Sequence, residues 1–236
     1  MMPIAQLLVH AALLARLAAP YPFAVGETLR YDAKLGYFPV GTASVSVTRM
    51  ATERGTRAFV FDGTGEGGPP GLRVRYDLTS WVGTGSFNSL RFHRRLEQGG
   101  KVDDQAYVIL PDSARYRQEG VPGDWVAPSN PLDELAFLYY LRSAPLKVGQ
   151  THNYVRYFKT GYNPIQVSVT GREPIPMPDG SNASCLAVRV TARGTTMQVW
   201  FTDDARRLPA QLELPLPFGS VTLSLAGQTG SGGAGR

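Results

Sequence analysis

Thr28-Leu29-Arg30-Tyr31-Asp32-Ala33-Lys34-Leu35 is the stretch that decides the fold class. Leu29, Tyr31, Ala33 and Leu35 alternate with Arg30, Asp32 and Lys34, and a period of two is the mark of a half-buried strand. Ala43, Val45 and Val47 repeat the pattern against Ser44, Ser46 and Thr48. Between the two runs, Gly36 to Gly41 carries Pro39 and predicts the turn. Working outward, similar runs predict strands near 57–64, 73–83, 87–97, 104–110 and 113–118. They resume near 151–160, 164–174, 184–193, 196–202, 208–214 and 220–226. Gln98-Gly99-Gly100-Lys101 reads as a hairpin turn, so neighbouring strands are expected to run antiparallel. The fold class is therefore mainly all-β: a curved antiparallel β-sheet or half-open β-barrel.

One segment breaks the rule. Ser129-Asn130-Pro131 precedes LDELAFLYYLRS, which predicts one packed amphipathic α-helix near 131–142. Asn130 or Ser129 suits the cap, Pro131 the first turn, and Asp133 with Glu134 the positive end of the helix dipole. Leu132, Leu135, Leu138 and Tyr139 recur at helical spacing and are expected to lie on the sheet. Pro145 forbids continuation. Nothing resembling an interdomain linker flanks the helix, so residues 21–228 read as one β-rich domain, and the Gly/Ser-rich tail 229–236 is expected to be disordered.

The chain has 236 residues, enough to bury a substantial core without disulfide staples. Hydrophobic residues make up 43% and charged residues 18%, which excludes a disordered chain. Ile4 to Ala19 is an apolar stretch broken by His10 and Arg16, too short for a transmembrane helix. With the small residues Ala15, Ala18 and Ala19 it reads as a signal peptide over 1–20, although Met1 to Gln6 lacks the usual Lys or Arg. Export to the periplasm follows as the expectation. Cys185 is the only cysteine, which leaves no internal disulfide and no thiolate metal site. The formal charge of +5 could favour anionic lipid, glycan or nucleic acid, but it is small enough to fit a solubility feature better.

Several stretches resemble a known family. Pro22-Phe23-Ala24-Val25-Gly26-Glu27 leading into Leu29-Arg30-Tyr31-Asp32 resembles its first strand, and Val40-Gly41-Thr42-Ala43 the start of its second. Trp200-Phe201-Thr202-Asp203-Asp204-Ala205-Arg206-Arg207-Leu208-Pro209 is the most specific match, followed by Leu216-Pro217-Phe218-Gly219-Ser220-Val221. On these residues the chain is similar to domain of unknown function 3108, a family of exported bacterial proteins, over nearly everything between Pro22 and Ala226. The resemblance implies an envelope address and a half-open β structure reminiscent of periplasmic lipoprotein carriers. It implies no chemistry.

Tyr31, Phe59, Tyr76, Trp81, Phe92 and Trp200 recur along the strands, and in a curved sheet inward-pointing aromatics can line an apolar ligand cavity. They equally serve any β core. Arg73 and Arg75 on one strand, with Arg91 and Arg95 flanking His93 on another, would form a cationic ladder for phosphate or carboxylate groups if the polar faces align. Asp77 and Glu97 offer counter-charges, which makes a solvated face the bland reading. Asp203, Asp204, Arg206 and Arg207 read as a structural turn rather than a cation site. Gly63 to Gly71 reads as a glycine-rich loop, since no helix, Lys or hydroxyl follows it as a phosphate cradle needs.

No nucleophile elbow and no metal-ligand spacing occur, so no catalytic residue, metal or cofactor is assigned. The reading is a non-catalytic binding or carrier module for an apolar or lipid-like ligand. A structural or assembly partner in the envelope is the alternative, and an envelope glycan or lipid hydrolase is the third. An envelope protein partner and peripheral membrane contact are compatible with the first two. Nucleic acid is not expected as a partner. The absence of an aromatic anchor on the last strand argues against a transmembrane barrel.

Overall fold

A computed structural model describes residues 21–68, 73–216 and 219–230. The predicted signal peptide, 1–20, and the last six residues of the tail lie outside the described residues. Alternation does become strand. The first half runs β1 (Thr28–Leu35), β2 (Phe38–Glu53), β3 (Thr56–Gly67), β4 (Val74–Gly83), β5 (Ser89–Gln98), β6 (Lys101–Leu110), β7 (Arg115–Gln118) and β8 (Trp125–Val126). After the helix α1 (Glu134–Ser143) come β9 (Thr151–Tyr154), β10 (Ile165–Pro176), β11 (Asn182–Ala192), β12 (Thr195–Thr202), β13 (Pro209–Leu216) and β14 (Gly219–Thr229).

All pair antiparallel in one sheet, ordered β8-β7-β6-β5-β4-β3-β2-β1-β14-β13-β12-β11-β10-β9. Two meanders thus meet where β1 pairs with β14, Thr28 opposite Thr229 and Leu35 opposite Val221. The short strands β8 and β9 are the edges and do not pair with each other, so the barrel stays open. Edge strands of two and four residues offer little template for unwanted pairing. The segments that follow them meet instead, through a parallel bridge between Leu132 and Tyr157.

That bridge explains where the helix starts. Leu132 N donates to Arg156 O (2.6 Å) and Phe158 N donates to Leu132 O (3.0 Å), so the backbone at 132 is held extended. The cap therefore falls on Asp133, whose carboxylate accepts from Ala136 N at 3.0 Å, and not on Asn130 or Ser129. Other boundaries also differ. The β1–β2 connection is only Gly36-Tyr37, and Pro39 lies inside β2 opposite Lys34, beside a register shift at Ala33/Lys34 that relieves its missing N–H. Gly63 to Gly67 is strand, not loop. The strand expected over 151–160 stops at Tyr154, and Thr229, expected in the tail, ends β14.

The helix lies within the curl of the sheet, against β3 and β4. Tyr139 stacks on Phe61 with ring centroids 4.1 Å apart, and Phe23 packs edge-on against both. Burying such aromatic side chains contributes roughly 2–3 kcal/mol each. Gly63 lets the helix approach closely, since a Cβ there would sit 3.0 Å from Leu135 Cδ2. A smaller cluster of Ile175, Cys185, Ala187, Trp200 and Ala210 forms on the opposite face of the second meander.

Candidate functional site: an open inner face with a polar flank

Strand pairing sorts the side chains of the first meander into rows across the inner face. Val47, Phe61, Ser80, Phe92 and Tyr107 form one row; Val45, Gly63, Leu78, Arg94 and Gln105 the next; Ala43, Gly65, Tyr76, Leu96 and Asp103 a third. The helix covers Phe61 and Ser80 of the first row and reaches Gly63 in the second, while Phe158 packs on Phe92 and Tyr107. In the third row no side chain is fully buried. Ala43, Val45, Leu78, Leu138, Met197 and Leu223 pack on the core yet keep part of their surface open. These residues come from both meanders and from the helix. Strand parity places the sheet residues among them on the inner face, so an apolar stretch beyond α1, the trough, is left partly open; at Gly65 a Cβ would come no closer than 3.9 Å to Tyr76 and 4.0 Å to Ala43.

A polar chain flanks the trough. Arg94 Nη2 donates to Asp103 Oδ2 (2.7 Å), and Gln105 Nε2 donates to Asp103 Oδ1 (2.8 Å). Tyr107 OH donates to Gln105 Oε1, and Lys159 Nζ donates to Tyr107 OH at 2.7 Å. On the helix side Tyr157 OH donates to Glu134 Oε1 at 2.6 Å, while Glu134 Oε2 is buried without a hydrogen-bond partner among the described residues. Lys159 lies over the rings of Tyr107 (4.3 Å) and Phe158 (5.4 Å) and makes no ion pair among the described residues. Burial holds its ammonium below the ordinary lysine value, with the Glu134 charge opposing. Burial and then the Glu134 charge push the Tyr76 hydroxyl up to about 12, so it stays a neutral donor. The arrangement offers an apolar floor, a cation, and an unsatisfied carboxylate oxygen. It suits binding of a molecule with an apolar body and a polar end.

Below the trough, Asp133 is fully buried. Ser80 Oγ (2.5 Å) and Ser89 Oγ (2.7 Å) donate to its Oδ2, and burial pushes its carboxyl up to about 7. This group anchors the helix start between β4 and β5 and is closed to ligands.

The six aromatics singled out in the sequence are not brought together. Only Tyr76 lines the trough. Tyr31 is buried, its hydroxyl donating to Pro209 O at 2.9 Å, and Phe59 and Phe92 pack among core rings. Trp81 lies on the outer face under the Arg91 guanidinium (5.3 Å), and Trp200 lies in the second cluster, donating to Glu173 Oε2. The polar faces of β4 and β5 do align, with Arg75 opposite Glu97 and Asp77 opposite Arg95. Each arginine of this ladder holds an acid: Arg73 with Glu66, Arg75 with Asp77, Arg91 with Glu119, Arg95 with Glu97 and Asp104. At Asp203-Asp204, Asp204 accepts from the backbone N–H groups of Arg206 and Arg207 (3.0 and 3.2 Å), and Asp203 pairs with Arg172 and Arg207. Arg94, Asp103, Gln105, Glu134 and Lys159 were missed as site residues. Arg94 shares the parity of Phe92 and Leu96, and a charge on the apolar parity of a strand is the signal that points to it.

Among the described residues no helix is long and apolar enough to cross a membrane, and no group of three His, Cys, Asp or Glu side chains could hold a metal ion. The model of a family described as "Protein of unknown function (DUF3108)" matches residues 30–226. No curated protein matches the chain. Among solved structures, a β-barrel-like protein of the DUF1849 family from Brucella abortus is similar at 10% identity and TM-score 0.54, over 86% of this chain and 97% of its own. At that identity the likeness is one of fold alone. A Parabacteroides distasonis protein described as a "putative lipoprotein" aligns at 8% identity and TM-score 0.33, over 91% of this chain and all of its own.

Proposed function

The chain belongs to the DUF3108 family, and from that premise we propose that it is a non-catalytic carrier or binding module of the cell envelope for a lipid-like molecule. The observation that carries this reading is the partly open apolar face beyond α1, built from Val45, Leu78, Leu138, Met197 and Leu223. Each apolar side chain left half in water forgoes roughly 1 kcal/mol of burial, which an apolar ligand seated on this face would recover. The acyl part of the ligand lies on this face across Gly65. Its polar end meets Lys159 and Glu134, the two charges of the flank without an ion pair among the described residues.

Native mass spectrometry of protein purified from its own periplasm tests the proposal. Wild-type protein is expected to carry an adduct of lipid mass that organic extraction removes, and Leu78→Asp with Met197→Glu is expected to lack it. A wild-type protein that stays free of adduct even in excess detergent-solubilised lipid would sink the reading. Recovery outside the periplasm would remove the envelope address while leaving the binding site open to the same assay.

A further inference from the structure

The most exposed large apolar side chains among the described residues are neighbours: Tyr37 is 97% and Phe38 74% exposed, at the tip of the β1–β2 hairpin. Gly36, at φ +59°, makes the two-residue connection that presents them. They are not alone at that end of the sheet. Strand directions put the β5–β6 tip with Val102, the chain just past β9 with Val155 and Tyr162, and the β11–β12 tip at the same end, and these three apolar residues are also exposed.

Once pairs are removed, cations outnumber carboxylates at this end. Arg73, Arg75, Arg95 and Asp103 all have partners. Lys34, Lys101 and Arg193, each exposed and each next to a hairpin tip, form no ion pair among the described residues. Arg193 instead lies over the Tyr162 ring at 4.9 Å. Asp32 and Glu213 are the carboxylates there without a cation among the described residues; Asp32 shares the exposed face of β1 with Lys34, and Glu213 accepts from Ser220 Oγ at 2.7 Å.

We propose that this end of the sheet docks on an anionic lipid bilayer, with Tyr37 and Phe38 entering the headgroup region and Lys34, Lys101 and Arg193 meeting lipid phosphates. Three facts favour a bilayer over a protein partner. The apolar residues are spread along successive tips instead of forming one contiguous patch, which suits a broad planar surface. Aromatic rings with a polar handle partition to the membrane–water interface. The unpaired cations are spaced among the tips, where each gains about 1 kcal/mol near an anionic leaflet. Docking in this orientation also sets the open side of the trough, at the Gly65 row, toward the lipid. In that respect it deepens the carrier reading, but the two fail separately.

The test is sedimentation of the purified chain with vesicles of phosphatidylglycerol and phosphatidylcholine, and with phosphatidylcholine alone. Binding to the mixed vesicles is expected to weaken about tenfold in Tyr37→Ser/Phe38→Ser, the loss of two aromatic side chains each only partly inserted among the headgroups. Lys34→Glu/Lys101→Glu is expected to erase the preference for anionic lipid. Both pairs are exposed, so circular dichroism and thermal unfolding are expected to match wild type, and lipid adducts in the trough are expected to persist. Wild-type protein that does not sediment with anionic vesicles, or does so independently of the tip, overturns the proposal. So does tip-dependent self-association by analytical ultracentrifugation in place of vesicle binding, which would make a second copy the occupant.

Discussion

Arg142 and Glu27, 115 residues apart, meet in the core with both side chains 1% exposed. Arg142 Nη2 donates to Glu27 Oε2 at 3.0 Å, to Pro22 O at 2.9 Å and to Arg206 O at 3.1 Å, so one guanidinium ties the helix end to the N-terminal segment and the Asp203–Arg207 turn. The rings of Tyr139 and Phe23 lie 5.3 and 5.6 Å from it. Removing one partner of a buried pair strands the other charge, which costs about 3–5 kcal/mol. Arg142→Met is therefore expected to lower the unfolding free energy by that amount in urea titration. Adding Glu27→Gln is expected to restore part of the loss, because the stranded charge is then gone. Equal loss in the single and double variants would refute the pairing.

Asp133 gives the protein a pH dependence of opposite sign to the usual acidic residue. Its carboxyl, ordinarily near 3.8, is pushed up to about 7 by burial, so the folded state keeps a proton that the unfolded state has lost. Stability from this group is complete below about pH 4, declines as pH rises toward 7 and is gone above it. The full difference is about 4 kcal/mol. Asp133→Asn keeps an acceptor for Ala136 N and needs no proton. Wild type and variant are expected to be similar at pH 4.5, and the variant more stable at pH 8, measured by urea unfolding. A variant that loses stability equally at both values would show that Asp133 folds ionised.

Lys159 is expected to decide which polar end the trough accepts. Its ammonium touches a phenol oxygen and two ring faces but no carboxylate among the described residues. A charged hydrogen bond contributes roughly 1.5–3 kcal/mol, so Lys159→Gln is expected to weaken an alkyl phosphate about tenfold or more. A fatty alcohol of equal chain length should bind both proteins alike. Isothermal titration with the two amphiphiles makes the comparison, and equal losses for both would remove Lys159 from the site.

How much of this was legible follows from what alternation encodes. Leu29-Tyr31-Ala33 gave its strand because one face of β1 is buried and the other is not. Register and strand order involve partners far along the chain, so the meeting of Thr28 with Thr229 left no local trace. The helix start was misplaced because local capping preference at Asn130 lost to the bridge between Leu132 and Tyr157, a contact across the mouth of the sheet. Gly63 to Gly67 read as loop because glycine weakens a strand, yet its flatness makes room for Leu135 and for the trough. The aromatics misled for the same reason in reverse. Parity separates Trp81 from Tyr76 on one strand, but parity alone does not say which face is covered by a helix and which is open.

Three glycines of the β2–β3 pair separate fold from ligand. At Gly41 a Cβ would lie 2.0 Å from Glu66 O, a backbone atom that cannot yield, so Gly41→Ala is expected to break the end of the hairpin and lower the melting temperature sharply. At Gly63 the clash is with Leu135 Cδ2 at 3.0 Å, the tip of a flexible side chain, and Gly63→Ala is expected to cost about 1 kcal/mol of overpacking. Gly65 has only ordinary contacts at 3.9 and 4.0 Å, and its backbone is not in the left-handed region. Gly65→Leu should therefore fold as well as wild type or slightly better, since replacing a strand glycine removes unfolded-state freedom worth roughly 0.5–1 kcal/mol. The new side chain would fill the floor of the trough. A lipid probe is accordingly expected to lose affinity in Gly65→Leu while thermal unfolding is unchanged or raised. Undiminished affinity in a stably folded Gly65→Leu protein would mean that the ligand, if bound, lies elsewhere on the molecule.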